Sequence, residues 1–147
     1  MKILSEKIMS TEQVESEMDY VVCKVNKRGD KRYYNAEDQL HREDGPAVEW
    51  NNGSKEWWLN DKLHREDGPA VEYSYGHKSW YLNGKRHRED GPAVEWSNGD
   101  EYWLINGKLH REDGPAAEYT NGDKHWFING KKVTKKTVRK LGKMKEG

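Results

Sequence analysis

Histidine beside carboxylates is a combination suited to metal binding and acid–base catalysis, and this chain carries it four times. His41, His64, His87 and His110 each open the string His-Arg-Glu-Asp-Gly-Pro-Ala, which recurs every 23 residues. A metal needs ligands converging within about 2.0–2.2 Å of one ion, whereas copies carried on successive hairpins sit roughly 10 Å apart. An active site is needed once, a structural connection once per repeat. Asp-Gly-Pro is turn chemistry, and the His, Arg, Glu and Asp side chains are expected to hydrogen-bond the irregular backbone between hairpins. Cys23, the single cysteine, reads as a buried strand thiol with no pairing group, and Ser54, Ser74, Ser79 and Ser97 read as turn or strand-edge residues. The expectation is no catalytic site, no metal and no cofactor.

The elements that carry these strings alternate with period two, as in Ala47-Val48-Glu49-Trp50 and Lys55-Glu56-Trp57-Trp58-Leu59, and are divided by Asn52-Gly53. Asn-Gly favours a two-residue primed turn, which would pair Trp50 with Lys55 and Val48 with Trp57. One face would then collect Val48, Trp50, Trp57 and Leu59 as the core, the other Ala47, Glu49, Glu56 and Trp58. The core columns continue as Trp57, Trp80, Trp103, Trp126 and as Trp50, Tyr73, Trp96, Tyr119. A solenoid with one coil per repeat would stack Arg42, Arg65, Arg88 and Arg111 about 4.8 Å apart, at about 1 kcal/mol of repulsion per pair even in water. Hairpins double that spacing. The fold class expected is all-β, an antiparallel meander of about four and a half hairpin repeats over residues 20–132.

The flanks read differently. Residues 1–19 hold Ser10-Thr11-Glu12-Gln13, a capping box for a short helix to about Met18. Residues 133–147 place Val133, Val138 and Leu141 on one side of a helix capped at Thr134. The segment 131–147 carries eight Lys or Arg against Glu146, leaving −7 on residues 1–130 although the whole chain sums to zero. No stretch is apolar enough to span a membrane or serve as a signal-peptide core, and a lone cysteine suits a reducing compartment, so a cytoplasmic protein is expected.

Asn106-Gly107-Lys108-Leu109-His110, following an aromatic strand and preceding another Gly at a period of 23, resembles the MORN repeat. The resemblance covers about residues 20–132 and departs from that family where His-Gly is replaced by His-Arg-Glu-Asp-Gly-Pro, a variant similar to repeats common in bacteriophages and large DNA viruses. It implies β-hairpin units in an elongated sheet and a non-catalytic, protein-binding role, in the viral case against a host factor in the host cytoplasm. Binding sites are expected where repeats differ: Tyr75 and His77 in the second loop, Arg86 in place of Leu63 and Leu109, and the column Trp58, Tyr81, Leu104, Phe127 on the second face. The aromatics alternate with Glu49, Glu72, Glu95 and Glu118, which repel phosphate and make a nucleobase platform the weaker reading. The basic tail supplies the alternative, contact with nucleic acid or anionic membrane. The flanks hold few apolar residues to cover a sheet face, so the sheet is expected either to twist sharply over itself or to share a face with a second copy in a homodimer.

Overall fold

Two kinds of turn organise each repeat. In the first, the Trp50 N–H donates to the Ser54 carbonyl at 2.9 Å and the Gly53 N–H to the Trp50 carbonyl at 3.0 Å, closing a three-residue loop over Asn51-Asn52-Gly53. Gly53 ends that loop at φ 93°, where a residue with a Cβ would be strained. In the second, both central residues are left-handed: Asn60-Asp61 (φ 49° and 64°), Asn83-Gly84 (50° and 80°), Asn106-Gly107 (50° and 79°) and Asn129-Gly130 (51° and 81°). That is the primed two-residue turn, whose twist matches the strands it joins. The sequence expectation placed it at the other Asn-Gly, one hairpin too early.

The structure is a computed structural model and describes residues 20–146; the helix expected to begin at Ser10 lies outside the described residues. Strands β1 (Val22–Val25) and β2 (Lys31–Tyr34) form the opening hairpin around the turn expected near Gly29. Then follow β3 (Val48–Glu49), β4 (Lys55–Glu56), β5 (Trp58–Leu59) and β6 (Lys62–Leu63). The same four steps recur as β7 (Val71–Glu72), β8 (Lys78–Ser79), β9 (Tyr81–Leu82) and β10 (Lys85–Arg86), and as β11 (Val94–Glu95), β12 (Glu101–Tyr102), β13 (Leu104–Ile105) and β14 (Lys108–Leu109). The chain closes with β15 (Ala117–Glu118), β16 (Lys124–Ile128), β17 (Lys131–Val133) and helix α1 (Lys135–Glu146). Eleven strands make one long antiparallel sheet in chain order that does not close into a barrel, and β5–β6, β9–β10 and β13–β14 form three two-stranded ribbons beside it. Adjacent ribbons are tied by main-chain bonds, such as Arg65 N–H to the Tyr81 carbonyl (3.0 Å) and Gly84 N–H to the Leu63 carbonyl (2.9 Å).

The third loop residue shifts the register by one. Glu49 faces Lys55 and Val48 faces Glu56, so the expected pairs Trp50–Lys55 and Val48–Trp57 do not form. A one-residue slip exchanges the faces of a strand. Val48, Trp50, Glu56 and Trp58 therefore share one face, and Ala47, Glu49, Lys55 and Trp57 the other. Both faces are covered at the centre: Ala47, Ala70, Ala93 and Ala116 are 0% exposed, and Val48, Val71 and Val94 are at most 5% exposed. Each buried valine contributes about 1.5–3 kcal/mol. At the C-terminal end, Thr134 caps α1, its Oγ1 accepting from the Thr137 N–H at 3.2 Å, and Val138 is buried beneath the helix.

Candidate functional site

The repeated polar string builds one face of the sheet. Arg65 lies with its Cζ 3.8 Å from the centre of the Trp57 ring, and Arg88 and Arg111 lie on Trp80 and Trp103 at 4.0 and 3.8 Å. Arg42 does the same on Tyr33 at 4.1 Å. From that position Arg65 donates through Nε to Asp67 at 3.0 Å, and through Nη1 to the Pro69 carbonyl at 3.0 Å and to Glu72 at 3.3 Å. One guanidinium thus closes the connection, anchors it to the sheet and covers an indole. The glycine of each string makes room for it: a Cβ on Gly91 would stand 2.6 Å from Arg88 Cζ. Asp67, expected as a backbone turn acceptor, accepts from the guanidinium instead.

Each histidine reaches into the next repeat. His41 Nδ1 accepts from the Asn60 N–H at 3.0 Å, and His64, His87 and His110 accept in the same way from Asn83, Asn106 and Asn129. The ring thereby satisfies the donor at the start of each primed turn, and accepting at Nδ1 places the neutral proton on Nε2. Nε2 stands 3.6–3.7 Å from the glutamate two residues on. Among the described residues, no three His, Cys, Asp or Glu are grouped to hold a metal ion. Cys23 is half-buried on β1 opposite Tyr33.

The opposite face is aromatic. Tyr75 stacks on Tyr73 with ring centres 5.3 Å apart and planes 6° apart, and Tyr73 lies 5.5 Å from His77. The run continues through His77–Trp96 (4.4 Å), Trp96–Tyr102 (6.5 Å), Tyr102–Tyr119 (5.8 Å) and Tyr119–His125 (5.8 Å). Tyr75 is 64% exposed and Trp96 40% exposed. Trp50 and Trp58, expected on opposite faces, meet here: both indole N–H groups donate to Glu56, at 2.7 and 3.0 Å. Burial, and next the negative charge of Glu56, hold the Tyr73 phenol above its ordinary pKa; burial, then the hydrogen bond with Tyr119, does the same for Tyr102.

The loops along this face are stapled to one another, with one exception. Asp30 accepts from the Asn51 N–H (2.8 Å), Ser54 Oγ from the Ser74 N–H (2.9 Å) and Asp100 from the Thr120 N–H (2.8 Å). The Asn26 side-chain amide, then the Asn51 N–H, keep the Asp30 carboxyl below the usual aspartate value; for Asp100 the Thr120 N–H is the largest cause. The equivalent position in the second repeat is His77, whose Nε2 pairs with Ser79 Oγ at 3.0 Å and whose buried Nδ1 has no protein partner. Burial, then the positive charge of Arg86, lower its pKa.

Of the residues expected to contact a partner, Tyr75 is exposed, and Trp58, Tyr81, Arg86 and Phe127 are half-buried. Arg86 Nε donates to the Tyr81 hydroxyl at 3.0 Å, joining these two across their ribbon. His77 and Leu104 are buried, at 5% and 9% exposure, and Leu104 packs on Ala93 and Val94 in the core, so neither offers area to a partner. The two-residue turn at the first loop puts Trp96 in the core; the asparagine that ends each aromatic strand, Asn60, Asn83, Asn106 and Asn129, followed by Gly or Asp, is the signal that corrects it. No known protein-family model matches the chain, and no curated protein shows significant similarity to it.

Proposed function

We propose that this chain is a MORN-like, non-enzymatic repeat scaffold that binds a protein partner across its aromatic face. The observation supporting this reading is the run from Tyr75 to His125, with Tyr75 64% and Trp96 40% exposed. Large rings with polar tips, held rigid by stacking, are the side chains that dominate protein interfaces, because they bury area at small entropic cost. Trp58, Tyr81 and Arg86 extend the patch along the ribbons, and Phe127 extends it along β16. The polar string on the other face is engaged in intramolecular bonds, which favours a structural role for it over catalysis. The resemblance to phage and large-virus repeats adds that the partner is a host protein met in the host cytoplasm.

The test is affinity capture with the wild-type chain and with Tyr75→Ala/Trp96→Ala. The double variant is expected to keep its melting temperature within a few degrees and to lose the captured protein. Undiminished capture by the folded variant, together with loss on deleting residues 133–147, would assign binding to the basic tail and reject the aromatic face.

A further inference from the structure

The last strand and α1 carry cations that the fold does not use. In the repeats each string arginine is committed to two carboxylates of its own repeat, as Arg65 is to Asp67 and Glu72, and Arg111 to Asp113 and Glu118. All ion pairs among the described residues lie between Lys24 and Glu118. Lys131 and Lys132 of β17 and the five Lys and Arg of α1 up to Lys143 come after them, and every one is exposed. Asp113 lines a groove with Lys135 and Arg139 yet pairs with Arg111 instead. Like charges four residues apart, such as Lys136 and Lys140, weaken a helix, so this concentration has no return in the stability of α1.

The helical period sorts these cations. Val138, 4% exposed, and the half-buried Leu141 seat α1 on the sheet, and positions 136, 140 and 143 fall on the side turned away. Lys136 and Lys140 stand about 6 Å apart along the axis and Lys143 about 4.5 Å further on, with Arg139 beside them. We infer that this row is a contact surface for the phosphate backbone of duplex DNA, held without regard to base sequence. Each ammonium is a point charge that neutralises a phosphate and reads no base. No aromatic residue lies between Lys131 and Lys143, so an unstacked single strand finds no platform there. A bilayer takes up a helix by its apolar side, but Val138 and Leu141 are turned to the sheet and leave only Met144, 76% exposed, of the apolar side chains of α1. The exposed side of a helix fits the major groove of B-DNA, about 12 Å wide, whereas that of duplex RNA is too narrow for side chains to read. The −7 carried by residues 1–130 confines a polyanion to the α1 end. This surface lies outside the aromatic run and stands or falls separately from the function proposed above.

The probe is a short fluorescein-labelled DNA duplex of arbitrary sequence, titrated with the full-length chain and read by anisotropy over a range of salt concentrations. The logarithm of the association constant is expected to fall with the logarithm of salt at a slope of about −3 to −5, as about four or five phosphates are neutralised, and to do so equally for an unrelated duplex. Lys136→Gln/Lys140→Gln/Lys143→Gln should make the slope shallower by about 2–3 and lower the affinity at low salt at least about tenfold. Lys62→Gln/Lys85→Gln/Lys108→Gln removes the same charge from exposed turns of the repeats and should leave the slope unchanged. Tyr75→Ala/Trp96→Ala should bind DNA as the wild type does. If the helix variant does not fold, the wild-type slope decides, and one shallower than about −1 rejects the proposal. Absence of binding, an unchanged slope in the folded helix variant, an equal loss in the repeat variant, or loss in the aromatic variant would overturn it. So would tighter binding to duplex RNA, or to vesicles containing phosphatidylserine, at the same salt.

Discussion

A guanidinium lying on an indole is the residue-level unit of this protein, and its geometry explains why the repeated position is arginine. Arg88 meets Trp80 with its plane while its edge serves Asp90, the Pro92 carbonyl and Glu95 at 3.2, 3.1 and 3.4 Å. Lysine keeps the charge but has neither the flat face nor the fork. Arg88→Lys is expected to cost about 1–3 kcal/mol in urea unfolding, and a cost below about 0.5 kcal/mol would show that charge alone suffices. His77 gives a pH signature. Its folded pKa is lowered, so the unfolded chain takes up the proton first as pH falls below the ordinary histidine value of about 6.5. Stability should therefore be full above that value and decline as pH falls toward the lowered folded value. In His77→Asn that decline should be reduced, as read by melting temperatures across this range. For Asp30 and Asp100 the folded pKa is also lowered, so their stabilisation is present above about pH 4 and disappears as pH falls through the folded values.

Among elements, cross-strand pairing carries information that no single residue does. Lys31, Glu49, Lys55, Glu72, Lys78 and Glu95 lie opposite one another on successive strands, opposite charges alternating. Glu101 breaks the pattern, facing Glu95 on one side and Glu118 on the other. Like charges directly opposed destabilise a sheet, so Glu101→Lys is expected to stabilise the fold by about 0.5 kcal/mol, measured by urea unfolding at low salt. At the primed turns the backbone decides. Gly84 sits at φ 80°, and Gly84→Ala should cost about 1 kcal/mol, seen as a lower urea midpoint with unchanged m-value.

For the molecule as a whole, an open sheet whose interior strands are two residues long needs its ends covered. Each interior indole has an arginine from the following string, but Trp126 has Thr134 at the corresponding place and is flanked by α1 instead. The basic segment therefore serves as a lid on the last repeat. Deleting residues 135–147 should uncover Val138's seat, lower the melting temperature by several degrees and raise the solvent quenching of tryptophan fluorescence; an unchanged melting temperature would remove the capping role.

The sequence alone was enough to read the hairpin period, the opening turn at Gly29, the Thr134 cap and the structural use of the polar string, because these depend on local conformational preferences and on an exact repeat. It left undecided which Asn-Gly makes the primed turn. Asn52-Gly53 and Asn106-Gly107 are alike as dipeptides, yet one closes a three-residue loop and the other a two-residue turn. The choice rests on long-range pairing: Trp57 N–H bonds the Ala70 carbonyl and His41 bonds the Asn60 N–H, contacts made only when neighbouring repeats are stacked. Because side chains alternate with a period of two, that single loop residue moved Trp57 beneath an arginine and left Trp96 facing solvent.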